Sequence, residues 1–132
     1  MSSSLENRFV VITGASRGIG RAVAMQFAEQ GAVVGINHIG DDAAARETLQ
    51  CLTDLDAQQG RPLRPHLNLP ADVAVEAEVA AMLEHALGRW GRLDVMICNA
   101  GVQAVTDGHD FDLSSFERIM AVNLTGVALC AR

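Results

Sequence analysis

The run Val10-Val11-Ile12-Thr13-Gly14-Ala15-Ser16-Arg17-Gly18-Ile19-Gly20 decides the fold. Its β-branched apolar start has the composition of a buried strand. The strand ends abruptly in a loop with glycines at 14, 18 and 20, and a helix begins at once. Ile19, Val23 and Phe27 recur at steps of four, which predicts an apolar helix face, and Gly31 follows as a stop signal. Strand, Gly-rich turn and helix within about twenty-five residues open a βαβ unit of an α/β protein.

Each glycine has a physical purpose there. Gly14 lets the chain leave the strand sharply, and Gly18 removes a Cβ where a phosphate-bearing ligand would press on the backbone. Gly20 lets the helix pack closely. The helix N-terminus offers unpaired N–H groups and the positive end of its dipole, which suits a pyrophosphate. The bland alternative is a Gly-rich turn with no ligand. A P-loop is excluded, because no Lys-Ser or Lys-Thr follows the last glycine.

Periodicity extends the pattern. Residues 8–13, 32–38 and 93–98 read as strands, and 18–30, 42–59 and 75–90 as helices. Ala45, Leu49, Leu52 and Leu55 are expected inward on the second helix, and Val79, Met82, Leu83, Ala86, Leu87 and Trp90 on the third. Residues 61–70 should hold another strand, but the three prolines place it at an edge, interrupted. A polar loop from Gln103 to Asp110 leads to a final helix capped by Ser114 or Ser115. Its expected inward stripe is Phe116, Ile119, Met120, Asn123 and Val127. A buried amide at 123 must be hydrogen-bonded, or it costs about 1–3 kcal/mol.

Composition bounds the function. With 132 residues and 49% hydrophobic content, the chain is one globular domain at most. A net charge of −6 argues against nucleic acid or an anionic membrane as partner. No leader-type apolar segment follows Met1, and no run is long enough to span a membrane, so a cytoplasmic protein is expected. Three cysteines (51, 98 and 130) without CxxC spacing read as free thiols, and the four histidines show no metal spacing, so no metal is assigned.

The end of the second strand bears on ligand choice. An acidic residue there would hold a ribose 2′-hydroxyl and select NAD. His38 takes that place, with Asn37 before it, while Asp41 and Asp42 are expected to start the next helix. Arg17 could meet a 2′-phosphate, or be a solvated loop residue. The expectation therefore tilts toward NADP over NAD, with dual use open.

Thr13-Gly14-x-x-x-Gly18-x-Gly20 is TGxxxGxG, and it resembles the cofactor loop of the short-chain dehydrogenase/reductase family. Asn99-Ala100-Gly101, directly after a strand, resembles that family's NNAG element, with Cys98 where the first Asn usually stands. Asn123-Leu124-Thr125-Gly126 resembles its N-x-x-G helix motif. The flavour is that of glucose-dehydrogenase-like and 3-oxoacyl-carrier-protein-reductase-like members. The resemblance implies a Rossmann-type three-layer α/β/α fold with a parallel sheet of order 3-2-1-4, truncated, so that residues 1–132 form the N-terminal part of a single dinucleotide-binding domain. Strand four would then be an open edge, which predicts poor solubility or association.

The resemblance also implies a dinucleotide site at Thr13, Gly14, Ser16, Arg17, Gly18, Ile19, Gly20, His38, Asp72, Val73, Asn99, Ala100 and Gly101. Asp72 would contact the adenine amino group, and the main chain of Val73 the ring; the alternative for Asp72 is a helix N-cap. Asn123 would bind a water that links an active-site lysine to solvent, or be a structural amide at a helix irregularity. The family's catalytic Ser and Tyr-x-x-x-Lys are not in these residues, which contain no tyrosine. The implied whole enzyme interconverts an alcohol and a carbonyl with NADP or NAD and is expected to be a homo-oligomer. These 132 residues by themselves are expected to be inactive. The rival reading is a non-catalytic dinucleotide-binding or interaction module.

Overall fold

The computed structural model describes residues 5–102 and 112–131. The loop expected over 103–110 lies outside them. Four strands, β1 (Phe9–Ile12), β2 (Val33–His38), β3 (Leu67–Pro70) and β4 (Val95–Ile97), form one parallel sheet of order β3-β2-β1-β4. Between and after them run α1 (Gly18–Glu29), α2 (Asp42–Gln58), α3 (Glu76–Trp90), α4 (Leu113–Met120), a π-helical turn (Ala121–Thr125) and α5 (Gly126–Ala131). This is the Rossmann-type arrangement that the Gly loop implied.

Side chains alternate across the central strands, so each face builds its own core. Val10, Ile12, Val34 and Ile36 join Ala24 and Ala28 of α1 and Ala45 and Leu52 of α2. Val11, Val33, Leu67 and Leu69 join Val79, Met82, Ala86 and Trp90 of α3, with Val122 and Cys130 beyond. Trp90 also donates its indole N–H to the carbonyl of Pro65 at 2.8 Å. β3 is an edge strand, as the prolines required. Pro62 and Pro65 precede it, and Pro70, which has no N–H to donate, ends it.

Four expectations are corrected. On α3 Leu87, expected inward, is 45% exposed, while Val79, Met82, Ala86 and Trp90 carry the buried face. On α1 the buried line is Gly20, Ala24 and Ala28, while Ile19 is 76% exposed and Val23 and Phe27 are only half-buried. Small residues let the helix axis approach the sheet, which places the larger ones at the flanks. The final helical segment likewise buries Val122, Gly126 and Cys130 rather than Phe116, Met120, Asn123 and Val127. Gly126 allows that contact, since a Cβ there would stand 2.9 Å from Val73 Cγ2. The cap of α4 is Asp112, not Ser114 or Ser115. Its carboxylate accepts from the Ser114 N–H at 3.2 Å and from both serine hydroxyls.

A buried polar pair that the periodicity did not disclose joins α2 to the head of the sheet. Before β3 begins, the Val34 N–H has no strand partner on that side, and His66 Nδ1 accepts it at 3.0 Å. The ring must then carry its proton on Nε2, which donates to Asp56 Oδ2 at 2.8 Å. Burial lowers the His66 pKa below its ordinary 6.5 despite the adjacent carboxylate. A folded-state pKa below the unfolded value means the unfolded chain binds the extra proton first. The pair's contribution is thus complete above pH 6.5 and is lost as pH falls through the lower, folded value. Thermal unfolding followed between pH 7 and pH 5 should show a falling melting temperature. His66→Gln, neutral throughout, should flatten that slope; equal slopes in both proteins would contradict this assignment.

Candidate functional site

In a parallel sheet whose first three strands progress one way and whose fourth lies on the other side of β1, the loops at the carboxyl ends separate beside β1 and leave a crevice. Here the crevice is lined by Gly14 after β1, His38 and Ile39 after β2, Ala71, Asp72 and Val73 after β3, and Asn99 to Val102 after β4, with Arg118 and Val122 from the last helical segment. Of the residues singled out from the sequence, Gly14, His38, Asp72, Val73, Asn99, Ala100 and Gly101 line this crevice.

The Gly loop is held from both sides. Thr13, buried, accepts the N–H groups of Asn99 (3.0 Å) and Ala100 (2.9 Å) on one hydroxyl, which donates in turn to the Ile97 carbonyl at 3.4 Å. The Asn99 side chain returns the contact, donating to the carbonyls of Thr13 (3.2 Å) and Gly14 (3.1 Å). Two glycines are obligatory for this closeness. Gly14 has φ +62°, and a Cβ there would lie 2.9 Å from Ala100 Cα; a Cβ on Gly20 would lie 2.3 Å from the Gly14 carbonyl oxygen and 2.6 Å from Asn99 Nδ2. Gly20 thus serves contact with the loop and Asn99. Gly18, by contrast, has open space where its Cβ would be.

Sequence reasoning passed over Asn37, which braces the other side. It is buried; its Oδ1 accepts the Gly14 N–H at 3.1 Å, and its carbonyl accepts that of Ala15 at 2.9 Å. Its Nδ2 donates to the carbonyls of Leu69 (2.9 Å) and Ala71 (3.2 Å), where β2 and β3 end. The signal was present: one amide in an otherwise apolar central strand needs partners for all its groups.

The end of β2 is a closed polar network. The His38 side chain is 3% exposed. Its Nδ1 accepts the Asp41 N–H at 3.1 Å, so its Nε2 donates to Asn68 Oδ1 at 2.8 Å. Asp42 opens α2 as expected, but the Asp41 carboxylate at the N-cap position makes no cap bond. It accepts instead from the Ser16 hydroxyl at 2.8 Å and from Arg17 Nε and Nη2 at 2.8 and 2.6 Å. Arg17 and Ser16 hold the Asp41 carboxyl below the ordinary carboxylate range. Arg17 remains 73% exposed at the mouth.

The first turn of α1, which contains Ile19, has neither a side-chain cap nor an acidic residue to compensate its N–H groups and dipole. Asp72 does not cap α3, whose N-cap is Val75. Its Oδ1 accepts the Ala74 N–H at 2.9 Å, and its Oδ2 pairs with Arg118 Nη1 at 3.0 Å. Asn123 sits in the π-helical turn. Its amide is satisfied at an exposed position by the backbone of Val102, accepting the N–H at 2.8 Å and donating to the carbonyl at 2.9 Å. All three cysteines are free; burial, with Cys98 nearby, pushes the Cys130 thiol up to about 11. Among the described residues no group of His, Cys, Asp and Glu could hold a metal.

A family model described as short chain dehydrogenase matches residues 8–132. The chain is 37% identical to glucose 1-dehydrogenase of Gluconobacter oxydans over 138 residues, covering 100% of itself and 48% of that protein. Among solved structures, 3-ketoacyl-(acyl-carrier-protein) reductase from Brucella melitensis complexed with NADH superposes with a TM-score of 0.84 at 34% identity, over 98% of this chain and 49% of that one. A short chain dehydrogenase from Burkholderia cenocepacia in complex with NADP gives 0.84 at 26% identity, over 96% and 49%. The chain thus spans about half the length of each.

The hydroxyl of Thr13 carries a specific expectation. Thr13→Val would leave the part-buried Ala100 N–H without its acceptor and the Asn99 N–H with the Ile97 carbonyl at 3.2 Å alone, at about 1–3 kcal/mol for an unsatisfied donor. Denaturant unfolding should show a loss of about 1–3 kcal/mol, while Thr13→Ser, which keeps the oxygen, should recover most of it.

Proposed function

Because the chain belongs to the short-chain dehydrogenase family, we propose that these residues are the N-terminal, cofactor-binding part of a single dinucleotide-binding domain. The whole protein would be an NAD(P)-dependent oxidoreductase that interconverts an alcohol and a carbonyl. The observation that carries the reading is the Gly loop, drawn against Asn99-Ala100-Gly101 at a distance no Cβ on Gly14 or Gly20 would allow, beneath an uncapped helix N-terminus.

The residues present fit such a group. Gly18 leaves open backbone at the loop, and the first-turn N–H groups of α1 would take the pyrophosphate. Asn99 keeps the carbonyls of Thr13 and Gly14 engaged, so that these two oxygens are not left free to oppose an anion. Ser16, Arg17 and His38 would form the surroundings of the adenosine ribose, with Asp72 and the main chain of Val73 at the adenine. Ala100 and Gly101 would let a ribose approach the backbone, beside Asn123. Bound there, the nicotinamide would supply or accept the hydride. Asn123, held by Val102, would keep the π-helical turn against the strand end and is the one member of the family's catalytic set in these residues.

Arg17 supports NADP ahead of NAD, since it is the exposed cation at the loop; Asp41 beside it favours a 2′-hydroxyl and supports dual use. Three free thiols support a reducing, cytoplasmic compartment. No helix among the described residues is long and apolar enough to cross a membrane. The exposed apolar residues Phe116, Met120 and Leu124 support homo-oligomeric assembly of the whole protein.

Fluorescence titration with NADPH and NADH tests the reading. Saturable binding of both is expected. Arg17→Ala should weaken NADPH more than NADH, and Asp41→Asn should shift the ratio the other way by removing the carboxylate that repels a 2′-phosphate. A folded protein that binds neither would refute the reading. Hydride transfer to an alcohol or carbonyl by these 132 residues alone is not expected, since they hold no tyrosine; turnover of NAD(P)H by them would contradict this.

A further inference from the structure

We propose that Arg118 is the positioning residue for base recognition: it fixes the Asp72 carboxylate so that the crevice reads the purine amino group. The inference rests on the dinucleotide reading above and adds a residue from a distant helix to it. Arg118 lies on α4, 46 residues beyond Asp72, yet both line the same crevice.

Asp72 is held at three points. Its N–H donates to Glu78 Oε1 at 3.0 Å, its Oδ1 closes a local turn on the Ala74 N–H at 2.9 Å, and its Oδ2 receives Arg118 Nη1 at 3.0 Å. The turn alone leaves the second oxygen free to swing. The guanidinium, brought in from α4, removes that freedom. The pair is partly shielded, with side-chain exposures of 17% for Asp72 and 44% for Arg118.

An ionised carboxylate has only acceptors, two lone pairs on each oxygen. One bond from Ala74 and one from Arg118 leave an acceptor direction on each oxygen. Such a group accepts from the 6-amino group of adenine and repels the 6-oxo group of hypoxanthine. The discrimination depends on aim: a swinging carboxylate can turn from an oxo group, while a fixed one cannot. The alternative is that the pair merely ties α4 to the loop after β3, which would affect stability alone.

The test is to titrate the purified protein with NADH and with its hypoxanthine analogue, and to compare the ratio of dissociation constants. The native protein should prefer the adenine form by about tenfold or more, the discrimination of a charge-assisted hydrogen bond. In Arg118→Ala, shown folded by circular dichroism, the preference should fall to within about threefold of unity. Arg118→Lys, which keeps a cation at that point, should retain part of it. In an Asp72→Ala background, Arg118→Ala should leave the ratio where Asp72→Ala alone puts it. Should Arg118→Ala not fold, Arg118→Gln is read in the same way. An unchanged ratio in the folded variant, or equal weakening of both dinucleotides, would overturn the inference. Native protein that binds both forms equally would overturn it while leaving the dinucleotide reading intact. Native protein that binds neither would remove both.

Discussion

Parallel strands that end together leave backbone N–H and C=O groups without ladder partners at the carboxyl edge of the sheet. Three side chains meet that constraint here. Thr13, Asn37 and Asn99 stand at the ends of β1, β2 and β4 and bond to the backbone of the neighbouring strand or loop. Thr13 and Asn37 use both donor and acceptor capacity and Asn99 donates twice through its amide, so a small number of polar atoms serves several backbone groups. The geometry of the Gly loop depends on them. Drawn in by Thr13 and Asn99 on one side and Asn37 on the other, the loop comes too near Ala100 for any residue but glycine at 14.

The rim of the crevice is built by a second network with a different logic. His38 is consumed by Asn68 and by the Asp41 N–H, and this fixes the turn from which the Asp41 carboxylate reaches Ser16 and Arg17. The β1–α1 loop is thereby joined to the β2–α2 turn through charge rather than apolar packing. Asp42, held down by Asn68 and Arg46, extends the same chain of contacts. Exposed ion pairs add little stability, so their value lies in the placement of charge at the mouth. Elsewhere along the crevice Arg118 pairs with Asp72 in the same way.

Much of this was legible in the residues. Run lengths, the stop at Gly31 and the glycine spacing located most elements to within a residue or two; the prolines put β3 at the edge, where it occupies only Leu67–Pro70 of the stretch 61–70. The helix stripes were read less well. Apolar residues at steps of four, such as Ile19, Val23 and Phe27, identify a helix, but small residues beside them took the contact with the sheet. Periodicity reports which residues are apolar; burial also depends on how near the two backbones come. The π-helical turn at Ala121–Thr125 places Asn123 outside the buried line, where Val102 satisfies it.

What the sequence determined by itself is the chemistry of the turn after β1. Gly14, Gly18 and Gly20 at that spacing after a β-branched strand, with Thr13 before and Asn99-Ala100-Gly101 after a later strand, admit few backbone paths. Only the tertiary structure decided which polar side chains support that path. Asn37, Asp41, Asp56 and Arg118 find partners 22 to 46 residues away or on another strand, at Ala15, Ser16, Val34 by way of His66, and Asp72. A hydrogen bond is short-ranged and directional, so two such residues are related only once the sheet has brought them within 3 Å of each other.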